Sequence, residues 1–485
     1  MLSEVELAPG NAVAEYEPYV FLAPAVEAFR RAADAQASRL GGRTVWMVNS
    51  TAKGGGVAEM LPQLVALLRE VGVDCRWLVA GADEPVYFDL TKRLHNMIHG
   101  HGAGPIDAAQ ADVYEAVSAE NGAALSSLVK DGDVLVVHDP QPAGAGARVL
   151  RERDVVGVWR CHIGLDHRTE ATDVAWSFLL PWIAPYQRVV FSLPEYIPEP
   201  LRDRAVIVPP SIDPLSHKNR ELTVHKLTGV LSCAGLLRSD QPSLGESFPE
   251  TAQRLQANGS FGPALEPDEL GLLFRPIVTQ VSRWDRLKGF GPLLEAFRLL
   301  KERQTNGDAR HAARIRAVRL MMCGPDPSSV ADDPEGKAVL DELMATWVAL
   351  PEAVQADVAI LVLPMGSRKH NALMVNAIQR CSTLVVQNSI REGFGLTATE
   401  AMWKGCAVLA SSAAGLRAQV RHELDGRIVD DPSSPYQVAD ALDEMLSKPR
   451  ARSVYGLNGR RRVMEEFLVL RHAARWLEVL GDAVG

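Results

Sequence analysis

Short apolar runs alternate with helical patterns along most of this chain. A run at 44–48 is followed by 57–70, where leucines and a methionine recur at helical spacing, and then by an apolar run at 75–79. Further β-rich runs lie at 134–137, 155–160, 188–192 and 206–208. Because strands that alternate with helices pair in parallel, this half of the chain is predicted to be an α/β domain.

The alternation stops at 213–274, a polar stretch that carries prolines and glycines, and then restarts. A strand is predicted at 277–281, and apolar residues of 293–300 line one face of the helix after it. Further strands are predicted at 318–323, 358–363, 384–387 and 407–410. The sequence therefore predicts an α/β protein with two doubly wound, Rossmann-like domains. Their parallel sheets are expected to face a shared cleft, where ligands of such folds bind.

The length of the chain agrees with this division. At 485 residues it exceeds what one hydrophobic core usually supports. We predict a first domain over 1–212 and a second over 213–465. A C-terminal helix over 466–485 can pack back on the first domain.

Composition and charge narrow the kind of partner. The chain is 47% hydrophobic and 23% charged, as globular proteins are, and its formal net charge is −9. Nucleic acid and anionic membrane would favour a clustered basic face, so neither is expected as a partner. With no apolar run of membrane-spanning length and no signal-peptide pattern, a cytoplasmic location is predicted. The six cysteines are scattered without a C-x-x-C pair and are predicted to be buried thiols.

The most informative local pattern is a loop that turns into a helix at 390–405. Gly393 and Gly395 precede a helix-forming run, and Glu392 and Glu400 flank the turn. Glycines before a helix N-terminus let backbone N–H groups approach an anion, and the helix dipole favours negative charge there. Carboxylates are strong acceptors for sugar hydroxyls. The pattern indicates a sugar nucleotide, against the alternative of a solvated start to a surface helix.

Two cations follow the first strand of the second domain. Arg283 and Lys288 lie at 282–289, at the carboxyl end of that predicted strand. A departing diphosphate gains negative charge, which fixed cations stabilise more than they stabilise the ground state. A solvated basic turn is the alternative, and the glycine loop in the same domain favours a functional site.

Polar residues also follow two strands of the first domain. His138, Asp139 and Gln141 follow one predicted strand, and Arg160 and His162 stand at the end of the next. A lone histidine is more often structural than catalytic. Two polar groups at equivalent strand ends favour a site, because the carboxyl ends of parallel strands meet at one edge of a sheet.

A glycine run at 53–59 precedes the first long helix. Gly55 and Gly56 allow a backbone to approach a ligand closely, but Glu59 stands where a dinucleotide fingerprint requires glycine. A Rossmann oxidoreductase is therefore disfavoured. The acidic turn at 131–133 has the form of a metal-binding D-x-D pattern, but it precedes its strand and is predicted to be a turn.

These motifs together resemble the retaining GT-B glycosyltransferases of family 4. In that family an S-R-x(4)-K-G segment, here 282–289, meets an E-G-F-G-L-x(3)-E motif, here 392–400. The motif order is similar to that of the trehalose glycosyltransferring synthases in the family. The stretches that carry this likeness are 48–51, 54–61, 138–142, 160–163, 209–215, 390–396 and 400–405.

The resemblance implies roles on the donor side. Arg283 and Lys288 would bind the diphosphate of the donor, Glu400 its ribose, and Glu392 the hydroxyls of its glucose. The residues implied to bind the nucleotide sugar are Gly55, Gly56, Arg283, Lys288, Glu392, Gly393, Phe394, Gly395, Leu396 and Glu400. No cofactor and no metal are implied, since the two cations replace the metal.

On the acceptor side, the resemblance implies that His162 sits beside the anomeric carbon and that Asp139, with Gln141, holds the acceptor sugar. His162, Arg283, Lys288 and Glu392 would form the catalytic set. The implied reaction moves glucose from UDP- or ADP-glucose to glucose and gives α,α-trehalose with retention. Such retention is described as front-face substitution, in which the leaving phosphate oxygen takes the acceptor proton. The oligomeric state stays open, with a homodimer among the options.

Three other hypotheses stay open. A retaining trehalose phosphorylase shares these motifs but uses phosphate, and a family 4 enzyme with another sugar acceptor would share them too. The third is a catalytically silent sensor of sugar nucleotides. The donor base and the role of 222–274 are not determined by the sequence.

Overall fold

The computed structural model describes residues 2–7, 10–52, 55–82, 84–102, 104–239, 247–303, 309–327 and 334–485. The chain divides into two compact units. Unit 1 comprises Met1–Asp213 and Met464–Gly485, and unit 2 comprises Pro214–Val463. The chain therefore leaves unit 1 once and returns to it at its C-terminal end.

Unit 1 is built on one sheet. Its strands, in the described residues, are β1 (Leu2–Glu4), β2 (Thr44–Asn49), β3 (Asp74–Ala80), β4 (Val134–His138), β5 (Val156–Arg160), β6 (Arg188–Phe191) and β7 (Ala205–Ile207). Its helices before unit 2 are α1 (Val13–Tyr16), α2 (Ala23–Gln36), α3 (Gly55–Glu70), α4 (Pro85–Ile98), α5 (Ala108–Leu128), α6 (Ala143–Glu152) and α7 (Glu170–Ile183). The strand order is β1-β3-β2-β4-β5-β6-β7. Only the pairing of β1 with β3 is antiparallel among these strands.

Burial explains why the inner strands could be predicted. All five residues of β4 are buried, because helices cover both faces of a parallel sheet. The six strands predicted for this half are confirmed, with ends that shift by at most one residue. The edge strand β1 was not predicted, since three residues are too few to show a period.

Unit 2 contains the second sheet. Its described strands are β8 (Gln253–Leu255), β9 (Phe261–Pro263), β10 (Ile277–Val281), β11 (Arg319–Pro325), β12 (Val358–Leu363), β13 (Leu384–Gln387), β14 (Val408–Ser411) and β15 (Gly426–Val429). Its described helices are α8 (Val224–Cys233), α9 (Phe290–Glu302), α10 (Ala309–Ala317), α11 (Pro334–Val348), α12 (Glu352–Gln355), α13 (Arg368–Cys381), α14 (Leu396–Trp403), α15 (Ala414–Gln419), α16 (Pro435–Ser447) and α17 (Pro449–Glu466). The strand order is β15-β14-β13-β10-β11-β12-β8-β9. The strands from β15 to β12 run parallel, and β8 and β9 are added antiparallel at the β12 edge.

The core of unit 2 lies on both faces of its sheet. Along β11, Leu320 and Met322 belong to one hydrophobic cluster, whereas Met321 and Cys323 belong to another. Successive side chains of a strand point to opposite faces, so the two clusters are the two covered faces. This arrangement is the doubly wound architecture that the sequence predicts.

The described parts of 213–274 contain secondary structure that the polar sequence did not predict. It contains α8 and the hairpin of β8 and β9, which extends the sheet. Arg254 in β8 is 2% exposed and donates to Oδ1 of Asp268 at 2.8 Å. A buried arginine on a three-residue strand is held by this ion pair, which apolar periodicity does not reveal.

The last helix, α18 (Val469–Ala483), returns the chain to unit 1 and packs against α2 and α3. One side of α18 is buried, and its polar residues include His472, which is 4% exposed. Over the part of the chain that the structure describes, no helix combines the length and the apolar character needed to span a membrane.

The six cysteines are free thiols. Four are buried, and Cys233 and Cys381 are half-buried. Burial raises the pKa of Cys75 to about 12, so this group stays a thiol at neutral pH. The prediction of buried thiols is confirmed for four cysteines, whereas Cys233 and Cys381 are only half-buried.

Candidate active site

The glycine loop of unit 2 connects β13 to α14. Gly395 is the N-cap residue of α14 and adopts a left-handed conformation with φ of 85°. A Cβ at this position would lie 2.8 Å from Cγ of Glu392, so both the backbone and the space require glycine. The helix begins at Leu396, directly after Gly395. Its first N–H groups and the positive end of its dipole therefore lie directly at the loop.

A second layer supports this loop from α15. A Cβ at Gly415 would lie 2.4 Å from Cα of Phe394, so the two backbones touch. The side-chain amide of Gln419 donates to the carbonyl of Phe394, and the N–H of Gly415 donates to the carbonyl of Glu392 at 3.3 Å. These contacts fix the backbone on both sides of Gly393. Neither Gly415 nor Gln419 was predicted to be part of the site.

Lys288 and Glu392 are in direct contact. Nζ of Lys288 donates to Oε2 of Glu392 at 2.6 Å, and the hydroxyl of Ser389 donates to the same oxygen at 3.2 Å. The two side chains are 16% and 13% exposed. A cation and a carboxylate side by side suit a ligand in which a phosphate lies next to sugar hydroxyls.

The backbone around this pair is fixed by hydrogen bonds between the loops after β10 and β13. The side-chain amide of Gln280 donates to the carbonyl of Lys288 at 2.7 Å and accepts from the N–H of Asn388 at 3.0 Å. Gly289 is left-handed with φ of 65°, and a Cβ there would lie 2.1 Å from the carbonyl oxygen of Asn388. The distance between Lys288 and Glu392 is thus set by buried side chains rather than by the loops alone.

Arg283 lies just beyond the carboxyl end of β10 and is exposed. Its neighbours hold the backbone. Trp284 is buried and donates to the carbonyl of Pro325 at 2.8 Å, and the hydroxyl of Ser282 donates to Gln387 at 3.4 Å. Arg283 is therefore an exposed residue on an anchored backbone, at the strand end where it was predicted to lie.

Glu400 is buried in α14, one turn beyond the glycine loop. It is 6% exposed, and Nζ of Lys218 lies 3.5 Å from its Oε1. Lys404 donates to the carbonyl of Glu400 at 3.1 Å and to Oδ1 of Asn219 at 3.2 Å. Burial lowers the pKa of Lys404 to about 8, although the charge of Glu400 opposes that shift. Lys218 was not predicted, because it is distant from Glu400 in the sequence. Lys404 was not predicted either, although it follows Glu400 by four residues, the spacing of neighbours on one helix face.

In unit 1, Gly55 and Gly56 begin α3, while Lys53 and Gly54 lie outside the described residues. A Cβ at Gly56 would meet no atom of the described residues within 4 Å. A ligand can therefore approach this backbone. The implied role of both glycines in nucleotide-sugar binding stays a prediction.

Asp139 and His162 are brought together at the carboxyl ends of β4 and β5. Asp139 adopts φ of 64°, which is uncommon for a residue with a side chain. Its Oδ1 accepts the backbone N–H of His162 at 2.8 Å, and its own N–H donates to the carbonyl of Arg160 at 2.7 Å. Such strain concentrates at functional sites. Burial raises the pKa of Asp139 to about 6, and the hydrogen bond from His162 and the charge of Arg160 oppose this rise.

Gln141 lies just before α6 and is half-buried. Its backbone carbonyl accepts the hydroxyl of Tyr87 at 2.5 Å. Its side-chain Oε1 is buried and has no hydrogen-bond partner in the described part of the chain. The structure therefore fixes the backbone of Gln141 without joining its amide to Asp139 by a hydrogen bond.

A buried polar layer beneath Asp139 and His162 was not predicted. Nδ1 of His138 lies 3.0 Å from Nε2 of His162. The fully buried Arg160 donates to the hydroxyl of Ser192 at 3.1 Å, and His472 enters the same layer from α18. The polar ends of β4 and β5 were visible in the sequence. The contribution of His472 was not, because it comes from the other end of the chain.

Two family models match the chain. Residues 47–198 match the trehalose synthase N-terminal domain, and residues 272–462 match the glycosyl transferases group 1 family. The chain is 33% identical to a trehalose synthase of Pyrococcus horikoshii over 93% of its own length and 92% of that protein. The chain belongs to the trehalose synthase family. This family member is a glycosyltransferase with the GT-B fold.

The chain is also similar to a second group of trehalose enzymes and to a solved structure. A trehalose phosphorylase of Pleurotus sajor-caju is 25% identical over 88% of this chain, which spans 56% of that protein's length. A solved structure described as trehalose-6-phosphate from E. coli bound with UDP-2-fluoro glucose has a TM-score of 0.63 at 17% identity. The match covers 91% of this chain and 99% of that one, and it supports the GT-B fold of this chain.

Proposed function

We propose that this enzyme transfers glucose from UDP- or ADP-glucose to glucose and forms α,α-trehalose, with retention at the anomeric carbon and without a metal ion. The observation that carries the proposal is the contact of Lys288 with Glu392 beside the N-terminus of α14. A nucleotide sugar presents a diphosphate next to sugar hydroxyls, and this site presents a cation next to an acceptor of hydroxyl hydrogens. The trehalose synthase relatives and the structure described as holding UDP-2-fluoro glucose support the same substrates.

On the donor side, the diphosphate takes the place of Glu392 as the partner of Lys288. The carboxylate of Glu392 then accepts hydrogen bonds from the glucose hydroxyls. When the bond between the anomeric carbon and the phosphate oxygen breaks, the negative charge that grows on that oxygen is stabilised by Lys288, Arg283 and the first N–H groups of α14. Glu400, one turn further on, holds the ribose hydroxyls.

On the acceptor side, Asp139 accepts a hydrogen bond from a hydroxyl of the acceptor glucose, and Gln141 is a further polar contact. His162 lies beside the anomeric carbon. The acceptor oxygen attacks the anomeric carbon on the face from which the nucleoside diphosphate leaves. Its proton passes to the leaving phosphate oxygen, so the new bond keeps the configuration of the old one. Arg283 and Lys288 supply the positive charge at the diphosphate that a divalent metal would otherwise supply.

The test is an acceptor and donor panel with release of nucleoside diphosphate as the readout. UDP-, ADP- and GDP-glucose are each incubated with glucose, glucose 6-phosphate, maltose or no acceptor. Diphosphate release with glucose, and trehalose as the product, supports the proposal. Release with another sugar instead assigns a different acceptor. Trehalose cleavage that depends on inorganic phosphate and not on nucleoside diphosphate assigns a phosphorylase, and tight nucleotide binding without turnover assigns a sensor.

A further inference from the structure

The histidine pair at the floor of the unit 1 site has an asymmetric environment. Nδ1 of His138 faces Nε2 of His162 at 3.0 Å, and the two rings are nearly parallel, with an interplanar angle of 14°. His138 is 2% exposed, whereas His162 is half-buried. Nδ1 of His162 makes no hydrogen bond with any residue that the structure describes. His162 therefore has one nitrogen held by the protein and one available to a ligand.

Both rings are neutral. Burial, reinforced by the positive charge of Arg160, lowers the pKa of His138 to about 3 and that of His162 well below its usual value. A third neutral ring lies in the same layer. Nδ1 of His472 faces the carbonyl of Pro209 at 2.8 Å, and Nε2 accepts the indole N–H of Trp476 at 2.9 Å. Both nitrogens of His472 are thus satisfied when Nδ1 carries its proton.

Two neutral rings in contact share one hydrogen bond, which leaves two arrangements. If His162 donates from Nε2, then His138 must carry its proton on Nε2. In the described part of the chain this Nε2 is buried and has no partner, so the proton would be an orphan donor beside the cation of Arg160. If His138 donates from Nδ1, its buried Nε2 presents a lone pair instead.

The second arrangement is favoured on electrostatic grounds. Nε and Nη1 of Arg160 are buried and have no acceptor among the residues described, so the guanidinium has unused donors. His138 and Arg160 are paired residues of the neighbouring strands β4 and β5, so their side chains lie on the same face of the sheet. A lone pair on His138 is attracted to the guanidinium cation, whereas an N–H group would be repelled by it. Buried orphan N–H groups are also rarer in proteins than under-used acceptors. His138 then donates to Nε2 of His162, and His162 carries its own proton on Nδ1.

We propose that His138 is a positioning residue that holds His162 in its Nδ1-protonated form, so that His162 is a neutral hydrogen-bond donor to an oxygen of the bound sugar substrates. The ligand that receives this bond rests on the proposed function, whereas the form of His162 does not. The charge of Arg160 favours this form of His138, and His472 lies in the same layer. His162 cannot take up the acceptor proton in this arrangement, because its outward nitrogen already carries one.

The form of His162 is measured directly by NMR on the full chain with ¹⁵N-labelled histidine. Long-range ¹H–¹⁵N spectra distinguish a ring nitrogen that carries a proton from one that does not, and His162→Gln assigns the resonances. We expect the proton of His162 on Nδ1 and that of His138 on Nδ1. In His138→Leu the preference of His162 should be lost, and in His472→Leu, which perturbs the same layer without touching the pair, it should remain. A protonated Nε2 on His162 in the unaltered protein overturns the proposal.

Kinetics supply the second readout. His138→Leu removes the donor, whereas the amide nitrogen of His138→Asn stands near the place of the imidazole Nδ1. We expect His138→Leu to lower kcat about tenfold, the scale seen when the group that fixes a histidine's form is removed. The KM of each substrate should change less than about twofold, and His138→Asn should recover most of kcat. Equal losses in both variants, in step with their thermal midpoints, would indicate packing and overturn the proposal. If the unaltered protein transfers no glucose, the proposed function fails while the NMR spectra still decide the form of His162.

Discussion

Lys288→Ala tests the pairing of cation and carboxylate at the glycine loop. Lys288 has two roles: it neutralises Glu392 in the free enzyme and stabilises the leaving diphosphate during transfer. Loss of one charge-stabilising group lowers kcat about 10²-fold, which corresponds to about 2.7 kcal/mol of transition-state stabilisation. Because both side chains are less than one-fifth exposed, at 16% and 13%, the change also leaves a mostly buried carboxylate without its cation. That costs about 1–3 kcal/mol of folding free energy, or a thermal midpoint lower by several degrees for a unit of this size.

The two roles are separated by a second substitution. Lys288→Met combined with Glu392→Gln removes both charges, so the thermal midpoint should recover while kcat stays low. Arg286→Ala is the matched control, because Arg286 lies in the same turn but is exposed and pairs with Glu342. It should change kcat less than about twofold. The assay is release of nucleoside diphosphate at saturating donor and acceptor, with calorimetry on the same samples. A kcat for Lys288→Ala within about threefold of the unaltered enzyme would show that Lys288 does not stabilise the leaving diphosphate.

Four further predictions use the same assay. Arg283→Ala should lower kcat by about 10²-fold or more with little change in thermal midpoint, since Arg283 is exposed; near-normal kcat would remove it from the site. Asp139→Asn should raise the KM of the acceptor more than that of the donor, and equal effects would show that its side is misassigned. Because burial raises the pKa of Asp139 to about 6, kcat/KM for the acceptor should fall as the pH drops below that value and the carboxylate takes up a proton. That acidic limb should be absent in Asp139→Asn. Turnover should survive EDTA, and a loss restored by Mg²⁺ or Mn²⁺ would contradict the role of the two cations.

The order of elements and the strand ends could be predicted because their signals are local. Each inner strand is a continuous apolar run, buried on both faces, and the polar residue after it must lie at the carboxyl edge of a parallel sheet. The positions of Asp139 and Arg283 at strand ends were predicted in this way, and their roles stay predictions. Gly395 could also be predicted locally, from its place just before a helix-forming run. The positive φ found there is a conformation that favours glycine.

The contacts that could not be predicted join residues that are distant in the sequence and meet only in the folded chain. His472 reaches the floor of the unit 1 site from the last helix, and Lys218 reaches Glu400 from the beginning of unit 2. The hairpin of β8 and β9 rests on the ion pair of Arg254, which contradicts the apolar pattern expected of a strand. Periodicity reports which face of an element is buried and carries no information about which distant side chain covers it.

The stereochemistry and identity of the product test the proposed transfer of glucose to glucose. The enzyme is incubated with UDP-glucose or ADP-glucose labelled with ¹³C at the anomeric carbon, unlabelled glucose and EDTA, and the product is observed by NMR without separation. With the donor that the enzyme uses, we predict a labelled anomeric carbon in the α configuration, joined through oxygen to the anomeric carbon of the second glucose, with one nucleoside diphosphate released for each trehalose formed. A β-configured product, a linkage to any other carbon of glucose, or formation of trehalose only after a divalent metal is added back would contradict it.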